Sequence, residues 1–203
     1  MRIVKPDTLL YSILIPAYNE AKNLPPTLEQ LAVALRREGI PFEFLVVNDN
    51  STDETPQVLE SLAAVYPELR AVTNPPPGGL GRAIRCGLKH FKGDVVAVVM
   101  ADSSDSPEDV VACYRKIVEG YDCVFGSRFR KGSKVSQYPP VKLVFNRIVN
   151  LAMRVLFFTR FNDLTNAFKV YRRHVIESIS PLHAAHFNIT IEMSLSCLIL
   201  RYK

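Results

Sequence analysis

The chain has 203 residues, of which 25 are Lys or Arg and 20 are Asp or Glu, and 48% are hydrophobic. That apolar share suffices for one domain with a buried core and excludes an intrinsically disordered chain. The longest apolar run, residues 95–101, is far shorter than the roughly 18 residues of a membrane span. Its four cysteines lack metal-site spacing and its first residues lack a signal-peptide pattern, so we expect a cytoplasmic protein.

Apolar runs alternate with helical patterns through the first 130 residues. Strand-like runs occupy residues 12–15, 44–47, 71–72, 95–99 and 123–125, and helical patterns begin near residues 23, 51, 80 and 106. Ser51 and Glu54 have capping-box spacing, and Ser106 before Pro107 is typical of a helix start. This alternation predicts an α/β fold, with a Rossmann-like, mostly parallel sheet and helices on both faces.

Polar residues follow several of these predicted strands, where parallel sheets bind ligands. Asp102 could hold Mg²⁺ or Mn²⁺ against a diphosphate, or it could only cap a turn. Asp49 could accept a hydrogen bond from a nucleobase or ribose, and the residues around it could also form a turn and helix cap. Both can hold, because the cap would use Ser51 and leave the Asp49 carboxylate free. The glycine-rich turn at residues 78–81 could bring backbone N–H groups to a phosphate.

Basic residues are concentrated between Arg128 and Arg173, where Asp163 is the only acidic residue, so we expect an anionic partner there. Residues 139–158 have a helical pattern with a broad apolar face. Asn146, Arg147, Asn150 and Arg154 form a polar stripe beside it. Such a helix packs either into a core or onto a membrane surface, and the sequence favours neither.

Five stretches carry a family resemblance by their order and spacing: residues 15–20 (Ile-Pro-Ala-Tyr-Asn-Glu), 47–53 (Val-Asn-Asp-Asn-Ser-Thr-Asp), 79–81 (Gly-Leu-Gly), 101–102 (Ala-Asp) and 126–128 (Gly-Ser-Arg). Together they resemble family 2 glycosyltransferases of GT-A fold. Residues 161–169 further resemble the D-x-T-(S/N)-G-F-(R/K) stretch of polyprenyl-phosphate hexose synthases of the dolichyl-phosphate mannose synthase type, with Ala167 in place of Gly.

The resemblance implies inverting transfer of a hexose from a UDP- or GDP-sugar to a polyprenyl phosphate, such as dolichyl or undecaprenyl phosphate. It implies that Asp102 ligates Mg²⁺ or Mn²⁺ and that Arg128 and Lys142 hold the acceptor phosphate. It also implies amphipathic interface helices in the C-terminal half and peripheral attachment to the cytoplasmic membrane surface. The nucleotide-sugar site would comprise Pro16, Ala17, Tyr18, Glu20, Asn48, Asp49, Gly81 and Ala101.

Two positions depart from the family pattern. Met100 stands where the first Asp of Asp-x-Asp is usual, and Asn48 replaces the first acid of an Asp-Asp pair, so we expect weaker metal binding. We expect one domain over residues 1–203, with a donor half at 1–130 and an acceptor half at 131–203. Relatives usually continue beyond this point with a strand and a basic segment, so we expect a shortened C-terminus.

Two alternative functions stay open. The first is a soluble family 2 glycosyltransferase acting on a saccharide hydroxyl, for which Asp163 and Glu192 are the candidate bases in the second half. The second is a non-catalytic nucleotide-binding homologue, suggested by Met100 and Asn48. No aromatic-basic platform is visible, so nucleic acid is not an expected partner. The sequence leaves the oligomeric state open.

Overall fold

The computed structural model describes residues 9–129 and 140–203, with only the backbone described at residues 140–143. Six strands lie within these ranges: β1 (Tyr11–Ala17), β2 (Phe42–Asn48), β3 (Leu69–Thr73), β4 (Val95–Val98), β5 (Cys123–Phe125) and β6 (Lys169–Arg172). Seven helices accompany them: α1 (Leu24–Arg37), α2 (Thr55–Val65), α3 (Leu80–Leu88), α4 (Pro107–Val118), α5 (Pro140–Leu156), α6 (Arg173–Ile179) and α7 (Ile189–Ile199).

The strands form one sheet in the order β3-β2-β1-β4-β6-β5. β1 pairs in parallel with β2 and β4, and β2 pairs in parallel with β3. β6 lies between β4 and β5 and runs antiparallel to both. The mostly parallel sheet is therefore confirmed, whereas the sequence patterns did not predict β6.

The sheet is covered on both faces, which explains why its central strands are apolar throughout. Successive side chains of a strand point to opposite faces. In β1, Ile13 and Ile15 pack into a core layer with α1 and α4, whereas Leu14 packs into the opposite layer with α3, α6 and α7. These two layers hold the carboxyl ends of β1, β2 and β4 side by side at one edge.

The start of α2 differs from the expected capping box, because the helix begins at Thr55 without a side-chain cap. Ser51 Oγ instead accepts a hydrogen bond from the backbone N–H of Asn19, at 3.0 Å. Asn19 Oδ1 in turn accepts one from the N–H of Thr52, at 2.8 Å. Ser51 and Asn19 therefore tie the loop after β2 to the loop after β1. At α4 the expected cap is present, since Ser106 Oγ accepts from the Asp109 N–H.

Helix α5 presents its apolar face outward. Asn150 is buried against the rest of the described chain. By contrast, large apolar side chains of α5 and the residues after it are exposed, among them Val144, Phe145, Ile148, Leu151, Val155, Leu156 and Phe158. Within the described residues, no core covers this face of the helix. None of the helices in residues 9–129 and 140–203 is long and apolar enough to cross a membrane.

Candidate functional site

The loop after β1 forms one wall of the site edge. Pro16 and Ala17 are buried, and they pair in register with Val47 and Asn48 of β2. Tyr18, the next residue, is 57% exposed, so its ring is available to a ligand. Glu20 is fixed beside it, because its Oε2 accepts from Asn23 Nδ2 at 2.7 Å.

Asp49 is buried at the end of β2, and both of its carboxylate oxygens are occupied. Oδ1 accepts from Asn74 Nδ2 at 2.6 Å, and Oδ2 accepts from the Gly79 N–H at 2.7 Å. Asn48 is similarly engaged, since its Oδ1 accepts from the Ser51 N–H at 3.1 Å. The sequence expectation of a free Asp49 carboxylate is therefore wrong. Any nucleoside here would share Asp49 with the loop that precedes α3.

The glycine-rich turn before α3 serves a role other than the one expected. The N–H groups of Gly81 and Arg82 both donate to the Ala185 carbonyl, at 3.1 and 3.3 Å. A Cβ at Gly81 would lie 2.4 Å from the Ala184 carbonyl oxygen, so a side chain has no room there. The absence of a side chain at Gly81 thus allows the loop before α7 to approach, and the Gly81 N–H binds that loop within the chain.

Asp102 lies in an exposed turn after β4, and its Oδ1 accepts from the Ser104 N–H at 3.0 Å. Thr27 of α1 fixes this turn, because its hydroxyl donates to the Ala101 carbonyl at 2.7 Å and lies 2.6 Å from the Ser103 hydroxyl. Ser103 has a φ of 57°, in the left-handed region. The sequence patterns had not singled out Thr27.

Asp105 is a second carboxylate in this turn, and it is partly buried. Its Oδ2 accepts from the Met100 N–H at 2.9 Å. Burial raises the pKa of Asp105 to about 6, with the negative charges of Asp102 and Asp109 contributing in the same direction. A positive charge at this turn would therefore be stabilised by the carboxylates around it.

The turn suits a hard divalent cation that takes most of its ligands from a substrate. No group of three or more His, Cys, Asp or Glu residues that could hold a metal occurs in the described part of the chain. Mg²⁺ typically uses one or two carboxylates and fills its other positions with phosphate oxygens and water. The exposed oxygens of Asp102 fit that arrangement.

Arg128, after β5, is held by Asp163. Arg128 Nε donates to Oδ2 at 2.9 Å and Nη2 donates to Oδ1 at 2.7 Å, while the Asp163 side chain is fully buried. Arg128 Nη2 also donates to Thr165 Oγ1 at 2.9 Å. Of the two residues expected to hold the acceptor phosphate, Arg128 is thus anchored and partly exposed. Lys142 lies on α5, and its side chain is outside the described residues.

Two further side chains fasten the segment that carries Asp163. Asn150 of α5 accepts from the Leu164 N–H at 2.7 Å and donates to Thr165 Oγ1 at 3.0 Å. Lys169 donates to the Leu164 carbonyl at 2.7 Å and also to Thr190 and Ser194 of α7. Lys169 is 2% exposed, and this burial lowers its pKa to about 7. The sequence patterns placed Asn150 in the polar stripe of the helix and Lys169 in the motif at residues 161–169. They did not predict that either residue would hold the segment that carries Asp163.

The two carboxylates considered as bases are both engaged within the chain. Asp163 binds Arg128, as described above. Glu192 accepts from the N–H groups of His183 and Ala184, each at 2.8 Å. These contacts assign both carboxylates a structural role.

Comparison with known proteins identifies the family: residues 12–180 match Glycosyl transferase family 2. The chain belongs to this family. The family resemblance and the assignment to a class of enzymes are therefore confirmed.

Curated relatives of this family member are named as lipid-phosphate sugar transferases. The chain is 30% identical over 184 residues to dolichol-phosphate mannosyltransferase of Pyrococcus furiosus, covering 90% of this chain and 51% of the relative. It is 32% identical to undecaprenyl-phosphate 4-deoxy-4-formamido-L-arabinose transferase of Shewanella sediminis, covering 85% and 51%. It is 33% identical to polyprenol monophosphomannose synthase of Mycolicibacterium smegmatis, covering 82% and 63%. The chain thus spans between half and two thirds of the length of these relatives.

Solved structures confirm the GT-A fold. Glucosyl-3-phosphoglycerate synthase of Mycobacterium tuberculosis with UDP aligns with a TM-score of 0.72 at 18% identity, covering 95% of this chain and 66% of that one. The same enzyme in complex with Mn²⁺, UDP-glucose and phosphoglyceric acid aligns with a TM-score of 0.73 at 17% identity, covering 94% and 66%.

Proposed function

We propose that this family 2 glycosyltransferase moves a hexose from a UDP- or GDP-sugar to a polyprenyl phosphate, with inversion at the anomeric carbon. The observation that carries the proposal is the exposed apolar face of α5, joined to the Arg128–Asp163 pair through Asn150 and Thr165. A long prenyl chain needs an apolar surface next to the group that receives its phosphate. The curated relatives, named as transferases of dolichol-, undecaprenyl- and polyprenol-phosphate sugars, support the same acceptor class.

The donor would bind at the carboxyl edge of the sheet, in the half formed by residues 1–130. Its nucleoside would lie between the exposed Tyr18 ring and the loop held by Asp49. Asp102 would hold Mg²⁺ or Mn²⁺ on the diphosphate, and the cation would offset the charge that develops on the leaving nucleoside diphosphate. The site would comprise Pro16, Ala17, Tyr18, Glu20, Asn48, Asp49, Gly81, Ala101 and Asp102. Gly81 would contribute by leaving room for the loop at residues 184–186, and not through its N–H.

The acceptor is its own nucleophile in this mechanism. A phosphate monoester has a second pKa near 6, so it is largely dianionic at neutral pH and can attack the anomeric carbon without a base. This agrees with the engagement of Asp163 and Glu192 in contacts within the chain. Arg128 and Lys142 would orient the phosphate through charge-assisted hydrogen bonds. Attack from the side opposite the leaving group gives inversion.

The half formed by residues 131–203 would place the enzyme on a membrane. An amphipathic helix of this kind lies in the plane of the interface with its apolar side toward the acyl chains. Val155 and Phe158, which is 94% exposed, would enter the lipid, whereas Arg147 and Arg154 would remain near the headgroups. This corresponds to peripheral attachment to the cytoplasmic face.

A phase-partition transfer assay tests the proposal. The chain is incubated with labelled UDP-glucose or GDP-mannose, Mn²⁺ and a polyprenyl phosphate in detergent, and label is then measured in the organic phase. We expect an acid-labile, lipid-soluble product, and no product with D102A. A parallel incubation replaces the lipid with a saccharide or phosphoglyceric acid and measures label in the aqueous product. Label that appears only there would instead establish transfer to a hydroxyl. Nucleotide binding without turnover on either acceptor type would establish the non-catalytic alternative.

A further inference from the structure

A concave site lies beside the acceptor region. It is a pocket of about 320 Å³ between α5 and the segments at residues 129 and 162. None of the described residues that line it is acidic. Its described lining consists of Phe129, Arg147, Asn150, Leu151, Arg154 and Asn162.

The pocket is electrostatically distinct from the Arg128 site. The Phe129 ring is close to both arginines, with Arg147 Cζ 5.4 Å and Arg128 Cζ 5.6 Å from its centre. The charge of Arg128 is offset by Asp163. Within residues 9–129 and 144–203, Arg147 and Arg154 form no ion pair with an acidic side chain. The pocket therefore presents two uncompensated guanidinium groups.

Helical spacing places this charge next to the exposed apolar face. Arg147, Leu151 and Arg154 are separated by four and three residues, so they lie on one face of α5. Leu151 is shared with the apolar face, which continues through Ile148 and Val155. A helix lying flat on a bilayer with these apolar residues in the acyl region holds such arginines at the level of the lipid phosphates.

We propose that this pocket binds the phosphate group of an anionic membrane phospholipid, as a headgroup site separate from the acceptor. Guanidinium groups bind phosphate oxygens through paired, charge-assisted hydrogen bonds. A phospholipid is complementary to both parts of this surface. Its phosphate matches the arginines, and its acyl chains match Leu151 and the neighbouring apolar residues. The inference rests on the membrane location in the proposed function, but it requires no catalytic turnover.

Vesicle sedimentation tests this site without an activity measurement. We expect the chain to bind vesicles of phosphatidylcholine with phosphatidylglycerol more tightly than vesicles of phosphatidylcholine alone. The double variant R147Q/R154Q should need at least roughly tenfold more anionic lipid for half-maximal binding. The matched control is R36Q/R37Q, which removes two exposed positive charges from the last turn of α1 and should bind like the wild type.

A second variant separates a pocket from a diffuse basic surface. R147K/R154K keeps both charges but loses the paired geometry of the guanidinium groups, so a phosphate pocket predicts weakened binding. Wild-type binding by R147K/R154K would overturn the proposal, as would equal binding to both vesicle types. Farnesyl phosphate that competes for the pocket while inorganic phosphate does not would assign the pocket to the acceptor and also overturn it. UDP or GDP binding is also measured in the variants. If a variant loses vesicle binding but still binds the nucleotide, its donor site is intact, so a failure of the phospholipid site can be told apart from a failure of the proposed function.

Discussion

Arg128 and Asp163, 35 residues apart in the chain, are joined by two parallel hydrogen bonds of 2.9 and 2.7 Å between guanidinium and carboxylate. The carboxylate has no exposure to solvent. A buried charge is tolerated where its partner is fixed in a fork geometry of this kind. The pair thus fixes the orientation of Arg128, and it also makes the residues around Asp163 sensitive to substitution.

Asp163→Asn tests how much the pair contributes to stability. The amide keeps the shape of the carboxylate but cannot accept both guanidinium hydrogen bonds, and it leaves Arg128 without its counter-charge. We expect the free energy of unfolding to fall by about 2–4 kcal/mol, as measured by urea denaturation. Glu38→Gln is the control, because Glu38 pairs with Arg37 and Arg115 at the surface and should cost less than about 1 kcal/mol. Equal losses for the two variants would contradict a special role for the buried pair.

Gly81→Ala tests the close approach of the loop at residues 184–186. In an ordinary helix, Ala is more stable than Gly by about 1 kcal/mol. Here the added Cβ would lie 2.4 Å from the Ala184 carbonyl oxygen, so the loop must move. We expect a net loss of about 1–3 kcal/mol by thermal or urea unfolding. Increased stability would show that Gly81 has another role.

Lys169→Met tests the buried ammonium group. The folded pKa is about 7 and the ordinary value is 10.5, because burial disfavours the charged form. Between these two values the unfolded chain binds more protons than the folded chain, so the free energy of unfolding rises with pH across that window. The gain in the free energy of unfolding is complete above the pKa of Lys169 in the unfolded chain, and it is lost as the pH falls to about 7.

The measurement for Lys169 is urea unfolding at several pH values between neutrality and the unfolded pKa, for wild type and variant. We expect the difference in stability between them to change with pH, since Met does not titrate. The variant also leaves the Leu164 and Thr190 carbonyls without their donor, at a cost of about 1–3 kcal/mol. A pH-independent difference would show that Lys169 keeps its ordinary pKa.

Asp105→Asn tests the partly buried carboxylate of the candidate metal turn. The folded pKa of Asp105 is about 6, above the ordinary 3.8. The protonated carboxyl group therefore contributes stability that is complete below pH 3.8 and is lost as the pH rises through about 6. The Asn side chain can still accept from the Met100 N–H. We expect the variant to exceed the wild type in stability at pH above 7 by about 2–3 kcal/mol, and by much less in acid. Lower stability of the variant at neutral pH would contradict the burial argument.

Local patterns were sufficient to predict most of the architecture. β1, β2 and β4 are apolar runs because both of their faces are covered, and the Ser106-Pro107 start of α4 is a purely local signal. β6 was missed because its two apolar residues lie between Lys169 and Arg172, and Lys169 is buried. Shortness is not the reason, since the three-residue β5 was predicted, but local patterns do not reveal that a lysine is buried.

The roles of the site residues were harder to predict, because their side chains form hydrogen bonds with residues far away in the sequence. Ser51 would cap α2 if only its neighbours mattered, but the Asn19 N–H binds it. Asp49 would be free without Asn74 and Gly79, which belong to a later loop. Asp163 was considered as a base because no sequence pattern reveals its pairing with Arg128. In each case a contact between residues far apart in the chain determines what the side chain can do.

Titration calorimetry of UDP and GDP into the chain, each with and without Mn²⁺, tests the central claim most directly. The carboxyl edge is proposed to be a nucleotide-sugar site in which Asp102 is the protein ligand to a divalent cation. We expect one of the two nucleotides to bind only when Mn²⁺ is present, and the heat to disappear with D102A. Absence of binding by the folded wild-type chain, or Mn²⁺-dependent binding that survives D102A, would contradict this account.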